Sequence, residues 1–224
     1  MDFESTASAI PPLGQGRRIW GSPRARASRY IRPMPANPRR PVHLWHDIPT
    51  GLNPPSVCNA LIEIPKHDRN KYELDKELGI FRLDRVLHSA VHYPGDYGFL
   101  PRTLAGDHDP LDVLVTMTEP VFTGCLIEVR PVGVFFLIDK GEDDEKILAV
   151  PVADPWTAEI NDLGDLATHT LREIEHFFLV YKALEGAKRG QQESRGFGNA
   201  AEAHRIITEC AARYESQYGP PATR

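Results

Sequence analysis

The sequence predicts an α+β fold, mainly β: a small antiparallel barrel that carries helices, with two main helices in the C-terminal part. Three observations predict it. Short apolar, β-branched stretches separated by turn residues recur between residues 59 and 152. Beyond residue 160 the apolar spacing switches to that of a helix. No run approaches the roughly 18 apolar residues of a membrane span, and the longest apolar stretch, around Val132 to Ile138, is strand-like.

The elements follow in order. Asn59 to Ile64 (NALIEI) reads as a strand. Lys71 to Asp75 and Ile80 to Arg85 read as a hairpin around Lys76 to Gly79. Tyr93 and Tyr97 flank a Pro-Gly turn in HYPGDYGFLPR. Asp112 to Met117 is apolar and β-branched, hence a strand. Ile127 to Asp139 is a long strand with a bulge or bend at Pro131-Val132-Gly133. GEDDEK, Gly141 to Lys146, is a solvated hairpin turn or a carboxylate cluster at a strand end, and Lys146 to Val152 reads as a strand. Leu171, Ile174, Phe177, Phe178, Tyr181 and Leu184 fall on one helical face. Ala203, Ile207, Cys210 and Tyr214 do the same in a last helix, with Asn199 as N-cap.

The chain of 224 residues suits one domain, read as 41–224, behind an Arg- and Pro-rich extension, 1–40. That extension shows no apolar period and is expected to be disordered. An overextended start (Met34 is a later candidate), a transit peptide and a partner-binding arm are the competing readings. Residues 1–46 hold eight arginines against Asp2 and Glu4, a balance of +6. The remainder holds 18 basic and 29 acidic residues, a balance of −11. An acidic body argues against a nucleic-acid binder, which needs a basic face, and favours a cation binder. The three cysteines, Cys58, Cys125 and Cys210, have no metal or disulfide spacing, which suits a reducing compartment, the cytoplasm.

The chemistry concentrates in GDHDPLDVLV, Gly106 to Val115. Asp107 and Asp109 are two apart, so an extended chain points both the same way. A turn at Pro110 would re-aim Asp112 to join them; the alternative is a solvated acidic turn before a strand. A second acidic cluster, Asp139 with GEDDEK, ends another strand. Carboxylates gathered at the ends of neighbouring strands repel one another, and divalent cations relieve that repulsion. All-oxygen ligands select a hard ion such as Mg²⁺ or Mn²⁺. Glu63 sits between isoleucines, while Lys71, Glu73, Asp75, Asp84 and Arg85 alternate with apolar residues. Tyr93 and Tyr97 serve as packing anchors or as phenol donors. Tyr181-Lys182 is a helix edge with a snorkelling lysine or an anion contact. Carboxylates for hard metals, cations for a polyanion and phenol donors together suit phosphoryl transfer to water.

Five stretches in order carry a family resemblance: IEIPKHDRNKYELDKELGIFRLDRVL, HYPGDYGFLPRTL, DHDPLDVLV, RPVGVFFLIDKGEDDEKILAVPV and EIEHFFLVYKALEG. The chain resembles the soluble inorganic pyrophosphatases of the first family from about Val42 to Tyr214. The resemblance implies a five-stranded barrel of OB type with flanking helices. It also implies Mg²⁺-dependent hydrolysis of pyrophosphate to two phosphates, with Mn²⁺ or Zn²⁺ as substitutes. Asp107, Asp112 and Asp144 match ligands of the first metal, and Asp112 is shared with a second. Asp139 and Asp144 match ligands of a metal that arrives with substrate, and Glu63 a further metal-site carboxylate. Asp109 matches the general base. Lys71, Arg85, Tyr97, Tyr181 and Lys182 match groups that hold the phosphates; Glu73, Asp84, Tyr93 and Lys146 match supporting residues.

Two positions depart from the family's pattern. His108 stands where a small residue is usual, and His88 where tyrosine is frequent. His108 points away from the metals, or else adds a pH-sensitive charge or a ligand for a softer ion. The resemblance carries the expectation of a homo-oligomer, a hexamer favoured; the acidic body and the lack of a long apolar run carry that of no nucleic acid and no membrane as partner. A barrel module that binds nucleic acid, or an inactive structural relative, are the alternatives.

Overall fold

Eight strands and two helices make up the computed structural model, which describes residues 42–186 and 192–220. The extension read over 1–40 lies outside the described residues, and these belong to one unit, Arg40–Arg224. The strands are β1 (Cys58–Ile64), β2 (Asn70–Asp75), β3 (Ile80–Val86), β4 (Asp96–Phe99), β5 (Asp112–Val115), β6 (Leu126–Asp139), β7 (Glu142–Pro151) and β8 (Gln192–Asn199). The helices are α1 (Thr168–Val180) and α2 (Ala200–Tyr218).

Five strands close into a ring in the order β1-β4-β5-β7-β6, with β6 returning to β1. This is the expected five-stranded barrel. Four of its pairings are antiparallel and one, β5 with β7, is parallel. The sequence order forces this: β6 and β7 form a hairpin, so β7 runs opposite to β6 and reaches β5 from the far side. Closure removes the open edges that a five-stranded sheet would otherwise expose. β8 adds to the outside of β6, and β2 and β3 form a separate hairpin.

The period-2 pattern decides which side chains enter the ring. Ala60, Ile62, Val113, Val115, Val129, Val134, Ile147 and Ala149 point to one cluster, which α2 covers with Ala203, Ile206, Ile207 and Cys210. Leu114, Phe135, Leu137, Leu148 and Val150 point to the other, which α1 covers with Ile174, Phe177 and Phe178. Asn199 caps α2 as expected: its side chain accepts the Glu202 N–H while the Glu202 carboxylate accepts the Asn199 N–H. No helix among the described residues is long and apolar enough to cross a membrane.

Bulges in β1 and in the β2–β3 hairpin set the functional end, and others interrupt β6. The expected one interrupts β6 between Pro131 and Gly133. In β1, Ile62 faces Gly98 and Ile64 faces Tyr97, which leaves Glu63 as the extra residue. In the hairpin, Lys71 faces Arg85 and Tyr72 faces Leu83, which leaves Asp84 as the extra residue. A bulge re-aims its side chain relative to the pleat.

The acidic GEDDEK segment opens in a turn and continues as strand. The reversal is confined to Lys140 and Gly141, both at positive φ (55° and 90°), and β7 starts at Glu142. Such a two-residue turn matches the twist of the paired strands, so the aspartates after it are held in register. Leu184 does not join the α1 face, because α1 ends at Val180 and Leu184 lies exposed beyond it.

Candidate active site

A cavity of about 310 Å³ opens at one end of the barrel, between the β2–β3 hairpin and the C-terminal end of α1. Strand ends and the turns beside them supply its chemistry. Asp112 begins β5 and stands in register with Lys146 of β7. Asp144 lies two residues before Lys146 on the same strand, so both face the same way. Asp139 closes β6 next door. Glu63 arrives from the β1 bulge, Tyr97 from β4, and Lys71 and Glu73 from β2.

The loop Gly106–Pro110 resolves the geometry of the three aspartates. The Asp107 carboxylate accepts the Asp109 N–H at 3.0 Å, and Ala105 N–H donates to the Asp109 carbonyl at 2.7 Å. His108 between them takes a positive φ of 69°. That tight turn sends Asp107, Asp109 and Asp112 into one cavity. His108 is exposed and is not part of the lining.

The electrostatics are those of crowded carboxylates met by cations. Lys146 is buried and donates to Asp112 and Asp144, each at 2.5 Å. Burial opposes its charge, but the two carboxylates outweigh burial and hold its pKa above the usual lysine range. Lys182 pairs with Asp139 at 2.7 Å, and Gln192 donates to the same carboxylate at 2.8 Å. Burial would raise the Asp139 pKa, and these two donors together lower it below the ordinary carboxylate value. Asp107 moves the other way: burial, and then the charges of Asp112, Asp109 and Asp144, raise it. Burial pushes Glu63 up to about 8, although the Leu74 N–H donates to it at 2.8 Å. Tyr97 donates to Asp112 at 2.5 Å. Burial first, and nearby carboxylates second, raise the phenols of Tyr97 and Tyr181 well above their ordinary value, so both remain donors at neutral pH.

Of the fifteen residues singled out in the sequence, thirteen line this cavity. Asp84 and Arg85 do not. Asp84 is the bulged residue of β3 and pairs with the Arg85 guanidinium, which also donates to Glu185 at 2.7 Å. Lys71 lies 3.9 Å from Asp84 and pairs with Glu73. His88 is exposed, with Nδ1 3.4 Å from the Leu184 carbonyl, and takes no part in the cavity. Sequence reasoning missed Lys76, which lines the cavity from the hairpin turn and pairs with Asp109. No periodicity marks it; its place follows from where the hairpin folds.

The lining has the chemistry of a hard-cation site. Every candidate ligand, Glu63, Asp107, Asp112, Asp139 and Asp144, offers carboxylate oxygen, and neither thiol nor imidazole lines the cavity. Asp107 is held above its ordinary pKa partly by neighbouring negative charge, which an added cation would relieve. No three ligand side chains among the described residues already surround one ion position, since Lys146 bridges Asp112 and Asp144. Metal binding there would exchange an ammonium for a harder cation.

A closed barrel whose open end gathers carboxylates and cations into one cavity suits hard cations and a small, highly charged anion. The family model described as Inorganic pyrophosphatase matches residues 60–215. The inorganic pyrophosphatase of Halalkalibacterium halodurans is 50% identical over 161 residues, which cover 72% of this chain and 97% of that one. That of Haloferax volcanii is 46% identical over 177 residues, covering 79% and 99%. The crystal structure of the Thermus thermophilus inorganic pyrophosphatase superposes with a TM-score of 0.75 at 42% identity, covering 78% of this chain and 99% of that one. The chain belongs to the inorganic pyrophosphatase family, whose members are metal-dependent hydrolases.

Proposed function

We propose that the cavity hydrolyses inorganic pyrophosphate to two phosphates with Mg²⁺, and that Asp109 is its general base. Family membership supports the reaction, and the geometry supports the division of labour. The observation that carries it is the convergence of Asp107, Asp109 and Asp112 on one cavity whose other wall is cationic. Glu63, Asp107, Asp112, Asp139 and Asp144 are the carboxylates proposed to hold metal. A divalent cation there would neutralise the phosphate oxygens and lower the pKa of the attacking water.

The chain's own groups do the remainder. Lys71, Lys182, Tyr97 and Tyr181 offer the hydrogen-bond donors that hold the phosphates, and the raised phenol pKa values keep both tyrosines protonated for that task. Arg85 must exchange its Glu185 partner to reach them. Asp109 takes the proton of the water as its oxygen bonds to one phosphorus, and the bridging P–O bond breaks to release the second phosphate. Glu73, Tyr93 and Lys146 shape the wall. Pyrophosphate offers little apolar surface, so its affinity comes from these charges. Mn²⁺ or Zn²⁺ would fit the same oxygen set less selectively.

The family likeness also supports a homo-oligomer, a hexamer favoured, in the cytoplasm. The acidic body supports no nucleic-acid role. Phosphate release from pyrophosphate tests the reading directly. The full chain should turn over with Mg²⁺ and stop under a chelator. Asp109→Asn should keep the wild-type melting temperature and lose about 10²–10⁴ in kcat. Near-normal turnover by that variant would remove Asp109 as the base.

A further inference from the structure

We propose that Lys76 is a positioning residue: it fixes the carboxylate of Asp109 in its working orientation, and the Trp45 segment holds Lys76 for that purpose. The proposal rests on the reading of Asp109 as the base.

Among the described residues, Lys76 is the one cation within ion-pairing distance of Asp109. The two come from different elements, the β2–β3 turn and the aspartate loop, 33 residues apart. Both partners are accessible, 39% and 57% exposed, so the pair adds little to stability. Its place is better explained by geometry, because Lys76 is held from two further sides. Its ammonium stands 5.4 Å from the ring centroid of Trp45, within cation–π range. Its carbonyl accepts from His43 Nε2 at 2.8 Å.

Trp45 is itself fixed. It is buried, its indole N–H donates to the Thr103 carbonyl at 2.9 Å, and Tyr214 and Tyr218 of α2 pack edge-on against it. The aspartate loop is tied to the same stretch, because Leu111 N–H donates to the Thr103 hydroxyl at 2.9 Å. Thr103 is thus a common anchor for the platform under Lys76 and for the loop that carries Asp109. A lysine whose ammonium and carbonyl are both held, on the same anchor as its partner, constrains where that partner's oxygens point. A general base needs that constraint, since small misplacements cost large factors in rate.

The test compares Lys76→Met, Lys76→Arg, Asp109→Asn and the Lys76→Met/Asp109→Asn double variant of the full chain. Lys76→Met should lower kcat about 10-fold, with KM for pyrophosphate and melting temperature unchanged. Lys76→Arg, which can still pair with the carboxylate and stack on Trp45, should recover most of it. In the Asp109→Asn background, Lys76→Met should lower the residual kcat no further. It should also leave the Kd for pyrophosphate, read by calorimetry with Mg²⁺, unchanged. Wild-type kcat in Lys76→Met, a raised KM or Kd, or an undiminished loss in the double variant would overturn the proposal; a raised KM or Kd would make Lys76 a phosphate-binding group instead. If Asp109→Asn is slow while Lys76→Met is normal, only Lys76 loses its role. If Asp109→Asn is normal, the base assignment falls and takes this inference with it.

Discussion

Lys146 is a buried cation that holds two carboxylates of the site. It is buried in the barrel wall with Asp112 and Asp144 at 2.5 Å, on side chains 28% and 19% exposed. Removing it would leave two carboxylates facing each other in a region of low dielectric, and breaking a buried pair costs about 3–5 kcal/mol. Lys146→Met should therefore lower the melting temperature by roughly 10 °C for a domain of this size. Bound Mg²⁺ would supply the missing positive charge and stabilise the fold by mass action. Thermal melts with and without Mg²⁺ should show a larger Mg²⁺-induced rise in Lys146→Met than in the wild type; an equal rise would mean that the ammonium and the cation act at separate places. At this scale the sequence was informative about residue type and silent about direction. An extended chain puts Asp107 and Asp109 on one side, yet it is the positive φ of His108 and the Asp107 acceptor that turn them inward. Lys76 and Arg85 show the limit from both sides. Neither has a sequence signal for its partner, because Asp109 and Glu185 lie 33 and 100 positions away.

Elements were legible where apolar spacing is strong and hidden where glycine or acid replaces it. β1, the β2–β3 hairpin, β6 with its bulge, and both helices follow from their periods. β4 escaped notice because Asp-Tyr-Gly-Phe is four residues long and reads as a turn. Gly98 in it is required by packing, since a Cβ there would lie 1.9 Å from the Leu61 carbonyl oxygen. β8 escaped because Gly196 and Gly198 interrupt it and charged residues fill the rest. The acidic start of β7 carries no strand signal because acids disfavour strands by propensity; the pairing of Asp139 with Glu142 and Leu137 with Asp144 overrides that. The end of α2 was the most readable of all. Asn199 satisfies the Glu202 N–H, and Glu202 answers to the Asn199 N–H, which leaves fewer free donors at the helix start. Asn199→Ala should cost about 1 kcal/mol. That amounts to a fall of about 2–4 °C in melting temperature, with kcat unchanged because no residue of α2 lines the cavity and Asn199 sits at the opposite end of the helix from Tyr214 and Tyr218, which pack on Trp45. A loss of kcat at unchanged stability would show that the start of α2 is coupled to the cavity.

At the scale of the molecule, closure of the ring explains why one end can be so acidic. Every barrel strand pairs on both sides, so the apolar clusters inside hold the strands while their ends carry unlike demands. All fifteen candidate residues lie between Glu63 and Lys182, inside the unit Arg40–Arg224 and the family match 60–215. The proposed reaction therefore draws on no residue of the basic extension. A chain that starts at Val42 should keep the wild-type kcat for pyrophosphate and the wild-type melting temperature. A chain that starts at Ile48 should not. It lacks Trp45, which is 4% exposed and packs with Leu61, Leu74, Phe99, Leu104 and Tyr214. Truncating a buried aromatic of that kind costs about 3–5 kcal/mol. It lacks His43 as well, and with it both supports of Lys76 other than Asp109. The shorter chain should thus melt lower and also turn over more slowly at temperatures where it is still folded. Circular dichroism melts paired with phosphate release at 20 °C separate the two effects, since slower turnover in a fully folded sample cannot come from unfolding. Equal turnover by the two truncated chains would show that the cavity keeps its geometry without the Trp45 platform, and a slow chain from Val42 onward would give residues 1–41 a part in catalysis that the lining does not explain.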